Sequence, residues 1–401
     1  MTSGSRSAAS GADPGVPMRQ AVVDLAVRLV ATDSVNPALV PGAAGESAVA
    51  EVLGDRLQRA GFAVDVVDAG GRPSLLATHR GRGGGRRLVL NGHLDTVGVD
   101  GMADPFGARV EGNRLTGRGA ADMKGGVAGM VVAAETAARA GTSGDVVLAL
   151  VADEEHGSVG TEAVIRHLAD RGELPDACLV GEPTGLDVVV AHRGYAVVEV
   201  ELTGRAAHSS QPGLGVNAVT HLGRLLAAVE AAGDRVAAAA PHPLAGAGSL
   251  MATVASGGTS PFVLAGSATA MIERRTVPGE PSAVALEEVQ GLLAALRDQD
   301  PTVEARARLV LAREAWQADG SPATERLLGL LEDALGRQGA GPVRAGAPYW
   351  MESALWQAAG VPTLVCGPSG GGLHAADEWL DLDQLDRFTV ALTDVVRTFC
   401  R

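Results

Sequence analysis

A chain of 401 residues is longer than one ordinary core fills, so two domains are expected, and 46 % hydrophobic but only 3 % aromatic residues imply interiors packed with Ala, Val and Leu. A formal charge of −14 argues against nucleic acid as a partner, because that binding needs a clustered positive surface. No apolar run reaches membrane-spanning length, and Cys178, Cys366 and Cys400 are too few and too scattered for a disulfide framework, so a reducing cytoplasm is the expected location.

Residues 1–17 are small and polar without a hydrophobic segment, and read as a disordered tail rather than a secretion signal. Ala21, Val22, Leu25, Ala26 and Leu29 then recur at helical spacing from about Met18, and a second helix is predicted over 46–60. A strand is predicted at 63–67. The apolar run 88–90 ends in Asn91-Gly92, as a buried strand does when it ends at a site. A small-residue helix over 123–140 and a buried strand over 146–152 continue the alternation, which predicts an α/β domain with a largely parallel sheet.

The pattern changes after Glu182. Val198, Val200 and Leu202 alternate with Glu199 and Glu201, as in a half-exposed strand. A helix over 216–232, strands over 250–255 and 268–274, a helix over 282–297 and a strand over 303–311 complete a βαββαβ insert with one solvated sheet face. Helices near 323–337 and 351–359 and a strand at 363–366 return to the first pattern. The expected organisation is a domain over 18–192 and 314–401, interrupted by a second over 193–313.

Candidate ligands follow predicted strand ends. His93 and Asp95, two residues apart on extended chain, point to one side, and an Asp there can hold the second imidazole nitrogen and fix its tautomer. For that pair alone an ordinary loop is the plainer reading. Asp122 lies in a glycine-rich stretch, Gly117 to Gly126, whose glycines permit tight turns; its spacing fits neither common phosphate-binding motif, and Asp122 could simply cap a helix. Asp153-Glu154-Glu155 directly abuts a buried strand, where like charges are costly unless cations offset them or one acid keeps its proton. One glutamate would ligate metal while its neighbour, with a raised pKa, takes a proton from water. Glu182 and His374 also follow apolar strands, though each alone could be a turn residue. Two histidines and three carboxylates, with Glu154 spare, are the nitrogen and oxygen donors zinc accepts, and the count suits a two-metal site with one bridging carboxylate.

These residues resemble the co-catalytic zinc peptidases that include acetylornithine deacetylase, succinyl-diaminopimelate desuccinylase, aminoacylase and carboxypeptidase G. The resemblance runs from about residue 18 to near the end and is carried by Gly92-His93-Leu94-Asp95-Thr96-Val97, Gly117 to Gly126, Asp153-Glu154-Glu155, Gly181-Glu182-Pro183-Thr184 and His374-x-x-Asp377-Glu378. It implies a zinc-peptidase-like α/β catalytic domain interrupted by a smaller α+β, ferredoxin-like lid and dimerisation domain. His93 and Glu182 would hold one metal, Glu155 and His374 the other, and Asp122 would bridge them through a cis peptide to Met123. Glu154 would be the general base and Asp95 would orient His93. In the insert, His208 matches a histidine that reaches across a homodimer to the oxyanion, and Arg275 one that grips a substrate carboxylate. Asn217 is a further substrate-contact candidate, with helix initiation as its plainer role.

The implied activity is metal-dependent hydrolysis of the amide bond in an N-acyl amino acid, with two divalent ions, zinc first and cobalt or manganese as alternatives. A carboxypeptidase or dipeptidase is the rival within the family. A non-catalytic binder should have lost a ligand or the base, which this chain has not. Two departures bear on the substrate: Gly257-Gly258-Thr259-Ser260-Pro261-Phe262 lacks the family's usual asparagine, and Tyr349-Trp350-Met351-Glu352 stands where Gly-Thr-Asp is usual, making a bulkier, more apolar pocket expected.

Overall fold

The computed structural model describes residues 17–401; the tail expected over 1–17 lies outside them except for Pro17, which precedes the first helix. Helices Met18–Val30 and Ser47–Arg59 each bury one apolar stripe, Val22, Leu25 and Leu29 on the first and Val49, Leu53 and Leu57 on the second. The runs Leu88–His93 and Val146–Val151 are buried along their whole length, as apolar strands are when both faces of a sheet are covered.

Four strands, Val146–Val151, Leu88–His93, Ala177–Val180 and Thr363–Val365, pair in parallel in that order. Antiparallel strands flank them. Pro73–His79 pairs Val146–Val151 on one side and is itself paired with Ala63–Asp68; Val188–His192 pairs Thr363–Val365 on the other. The sheet is therefore mixed rather than largely parallel. The turn between Asp68 and Pro73 is too short for the crossover that a parallel pair needs.

Register matters most for function. His93 lies opposite Val151, so neighbouring parallel strands end together and their loops leave from one edge of the sheet, where open α/β sheets place their ligands. The helix Gly125–Ala140 is buried almost throughout and packs against the C-terminal helix Leu382–Phe399, an element beyond those predicted. Gly129 makes this approach possible, since a Cβ there would stand 2.7 Å from the Phe388 ring. A small antiparallel sheet, in the order Gly370–Gly371, Trp379–Asp381, Arg114–Thr116, Arg109–Glu111, ties the segment around His374 to the start of the glycine-rich loop.

These elements form one compact unit of the described residues up to Val190 with Ala318–Arg344 and Met351–Arg401. The second unit comprises Ala191–Gln317 and Ala345–Trp350. Its borders differ by a few residues from those expected, and the short segment Ala345–Trp350 joins it from beyond. Its chain order is βαββαβ: Gly194–Thr203, Ala218–Ala237, Ser249–Gly257, Ser267–Thr276, Val284–Gln299 and Glu304–Arg313. The four strands pair antiparallel throughout. Ala196, Val198, Val200 and Leu202 share a core with Leu222, Leu225, Val289 and Leu293, while Glu199 and Glu201 stay on the other face.

Candidate metal centre

His93 is the last residue of its strand, and only 1 % of its side chain is exposed. Its Nδ1 lies 3.0 Å from the backbone carbonyl of Asp95, an acceptor only, so this nitrogen carries a proton and Nε2 is the atom turned toward the carboxylates. Nε2 faces Asp122 Oδ1 at 3.1 Å and Glu182 Oε1 at 3.8 Å. Burial disfavours a charged imidazole here, yet the facing carboxylates of Glu182, Asp122 and Glu154 outweigh it and raise the His93 pKa.

The Asp95 carboxylate meets more than the imidazole. Its Oδ1 stands 3.7 Å from His93 Nδ1, and the carboxylate also accepts from Glu154 N and Glu155 N, both at 3.1 Å, and from Asn36 Nδ2 at 2.8 Å. The strand ends at His93, so the same-side rule for alternate residues no longer governs Asp95. Asp95 thus meets the imidazole at Nδ1 through its carbonyl, with its carboxylate 3.7 Å away, and also holds the backbone of the two glutamates.

Asp122 sits in a kinked turn, Ala120–Lys124, with non-helical φ −116° and ψ 97° and a cis peptide to Met123. It does not cap the helix, which begins at Gly125. Its Oδ1 faces His93, and its Oδ2 lies 3.2 Å from His374 Nε2. Burial alone would raise its pKa, but hydrogen bonds from His374 and His93 hold it below the usual carboxylate range.

His374 stands on a loop at φ 61°, with 51 % of its side chain exposed. Hydrogen bonds with Asp122 and Glu155, the latter 3.1 Å away at Oε2, raise its pKa to about 10. Glu155 Oε1 is buried with no hydrogen-bond partner. Burial, reinforced by neighbouring acids, raises the pKa values of Glu154, Glu155 and Glu182. Asp153, the first of the three acids in a row, turns away at φ 69° and pairs with Arg72 at 2.9 Å and Asn36 at 3.1 Å.

Two groups of donor atoms result, His93–Asp122–Glu182 and Asp122–Glu155–His374, each with its atoms within 4.8 Å of one another and Asp122 common to both. Crowded carboxylates with raised pKa values, an unpartnered Glu155 oxygen and a mixed nitrogen and oxygen donor set fit a pair of divalent cations. All five ligand candidates converge, and Glu154 follows Asp153 in the same loop.

Sequence reasoning missed the supports. Asn36 and Arg72 come from segments without a ligand motif. Glu352, in the segment that departs from Gly-Thr-Asp, accepts from Asn91 Nδ2 at 2.7 Å, and Asn91 Oδ1 accepts from Trp356 Nε1 at 2.7 Å. This buried chain braces the strand two residues before His93; burial raises the Glu352 pKa to about 7. Trp350 and Met351 are buried, Trp350 against His192 and Tyr195. Phe262 is 68 % exposed.

The three remaining candidates belong to the second unit. His208 Nδ1 is 2.7 Å from Ser210 Oγ on an exposed loop. Arg275 pairs with Glu273 and lies over the Tyr195 ring, 5.2 Å from its centroid. Asn217 caps the helix Ala218–Ala237, its Oδ1 accepting from Val219 N at 3.1 Å and Ala265 N at 3.3 Å, so its acceptor serves the fold.

The profile of Peptidase family M20/M25/M40 matches residues 89–398. An acetylornithine deacetylase of Vibrio vulnificus is 30 % identical over 385 residues, 93 % of this chain and 97 % of that one. A succinyl-diaminopimelate desuccinylase of Dinoroseobacter shibae is 37 % identical over 215 residues, 51 % of this chain and 55 % of that one. The fold is shared with the Saccharomyces cerevisiae di-peptidase Dug1p, at a TM-score of 0.76 and 16 % identity over 96 % of this chain and 98 % of that one.

Proposed function

Because the chain belongs to Peptidase family M20/M25/M40, and so hydrolyses amide or peptide bonds, we propose that its substrate is an N-acyl amino acid and that its cofactor is a pair of divalent cations. One observation carries this reading: Asp122 stands between two donor triads, one oxygen toward His93 and the other toward His374. His93 and Glu182 would hold one ion and Glu155 and His374 the other, with Asp122 shared. Zinc suits the donors best, and cobalt or manganese would also be accepted. When bound, such a pair acidifies water and polarises a carbonyl.

The protein's own groups do the rest. Glu154, whose pKa burial and neighbouring acids raise, takes the proton from the attacking water and returns it to the leaving amine. Asp95 fixes the backbone of Glu154 and Glu155 from behind. His208 donates to the developing oxyanion from a partner protomer, and Arg275 binds the substrate carboxylate with a fork of donors. We read the chain as a cytoplasmic homodimer. Three buried free cysteines suit a reducing compartment, and the edge strand Ser249–Gly257, with Met251 and Val254 exposed, offers backbone groups to a second copy.

The di-peptidase sharing this fold supports a second reading, in which the same groups cut a dipeptide. Hydrolysis of N-acetyl amino acids, N-succinyl amino acids and dipeptides by the zinc-loaded protein separates the two. The acyl-amino-acid reading expects the acylated substrates to lead, and fails if dipeptides do. A Glu154→Ala protein that binds two zinc ions and keeps its full rate would remove the assignment of the base.

A further inference from the structure

The glycine-rich loop folds around an anion, and the chain itself supplies it. Glu378 Oε2 accepts from Arg118 Nη1 at 2.7 Å and Gly119 N at 3.0 Å; its Oε1 accepts from Ala121 N at 3.0 Å and Asp122 N at 3.1 Å. The backbone carbonyl of Glu378 also accepts from Gly117 N at 3.2 Å. Gly119, at φ 78°, helps turn successive N–H groups inward to make this seat. Arg118 and Glu378 are 2 % and 1 % exposed, and Arg118 Nε is anchored on the Gly98 carbonyl at 2.9 Å.

One of those four donors is the N–H of Asp122, the residue whose two oxygens face His93 and His374. His374 lies four residues before Glu378, and the strand that follows, Trp379–Asp381, pairs with Arg114–Thr116 just ahead of the loop. One short segment thus delivers a histidine to the centre and holds the backbone of the shared aspartate. We propose that Glu378 is a positioning residue for the metal centre: by clasping the loop at Gly119, Ala121 and Asp122 it fixes where Asp122 points before any cation arrives, and so sets the affinity for the pair. The inference rests on the two-cation reading above. Its physical basis is preorganisation, since a loop left free would have to be ordered at the moment of binding.

The test compares the parent with Glu378→Gln, which keeps size but leaves a single acceptor oxygen. Zinc affinity is measured by competition with a chromophoric chelator, kcat and KM on an acylated amino acid, and the melting temperature on metal-free protein. Zinc affinity should fall about 10- to 100-fold, the usual loss when an outer partner of a metal ligand goes, and kcat should fall while KM holds. A clasp that only braces the fold would lower the metal-free melting temperature and leave zinc affinity of the folded variant at the parental value, and that result overturns the proposal. Removing Glu378 alone leaves Arg118 buried without a counter-charge. The double variant Arg118→Met/Glu378→Gln removes both charges and carries the same expected and overturning results if the single variant does not fold. A parent that takes up no zinc would sink the two-cation reading and the clasp with it, whereas a parent with two zinc ions matched by its variant would sink the clasp alone.

Discussion

The two histidines that face Asp122 stand on different foundations. His93 ends a strand buried along its whole length and is braced behind by Asn91, Glu352 and Trp356. His374 stands half exposed on a loop in the left-handed region. A side chain on a packed strand has its position set by the core; one on an open loop is positioned by the partners it meets. One half of the centre is therefore prepared by the fold, while the other is completed by its own contacts and lies more open to solvent.

That contrast can be broken or sharpened by measurement. The largest effect belongs to Glu154, which follows Asp153 in the loop between the halves: Glu154→Gln should lower kcat about 100- to 10,000-fold, the range for loss of a general acid–base group, with two ions still found by elemental analysis. Next, His93→Ala and His374→Ala should each lower bound metal, but only His93→Ala should also lower the melting temperature of metal-free protein, because it opens a cavity among buried groups. Equal melting temperatures would erase the distinction between the halves. Asp95→Asn should weaken zinc binding about tenfold, at the lower end of outer-partner effects. Chelator competition reads that change, and an unchanged affinity would show that the Glu154–Glu155 turn holds itself.

The smallest expected effect is on pH dependence. Glu352 has its pKa raised by burial from an ordinary carboxyl to about 7 in the fold. Below the unfolded pKa both states are protonated and nothing is lost; between there and about 7 the folded state binds more protons, so stability falls as pH rises. In chelator-treated protein, Glu352→Gln should flatten that decline in urea titrations between pH 4.5 and 8. An equal slope in both proteins would mean that other groups cause it.

Much of this arrangement is legible in the sequence because its signals are local. The alternation at Ala196, Val198, Val200 and Leu202 announces a half-covered strand, and the βαββαβ order follows from its neighbours. Every ligand candidate but Asp122 follows an apolar run, so strand ends could be read without coordinates. Other features depend on distance along the chain. The Glu378 carboxylate meets Asp122 N from 256 positions away, and Glu352 meets Asn91 from 261, with no spacing to betray either. The hold of Asp95 on the Glu154–Glu155 backbone depends on where a strand stops, which no local pattern shows. The C-terminal helix carries its period locally in Leu385, Phe388, Leu392 and Val396.

The pairing of His93 with Val151 has a consequence for assembly. A slip of a single residue between these strands would carry the imidazole about 3.3 Å along the sheet and turn it to the opposite face. A mispaired chain could still bury valines and leucines nearly as well, but it could not present the histidine to Asp122. Correct alignment of these two strands is thus a precondition for His93 and Asp122 to meet at all.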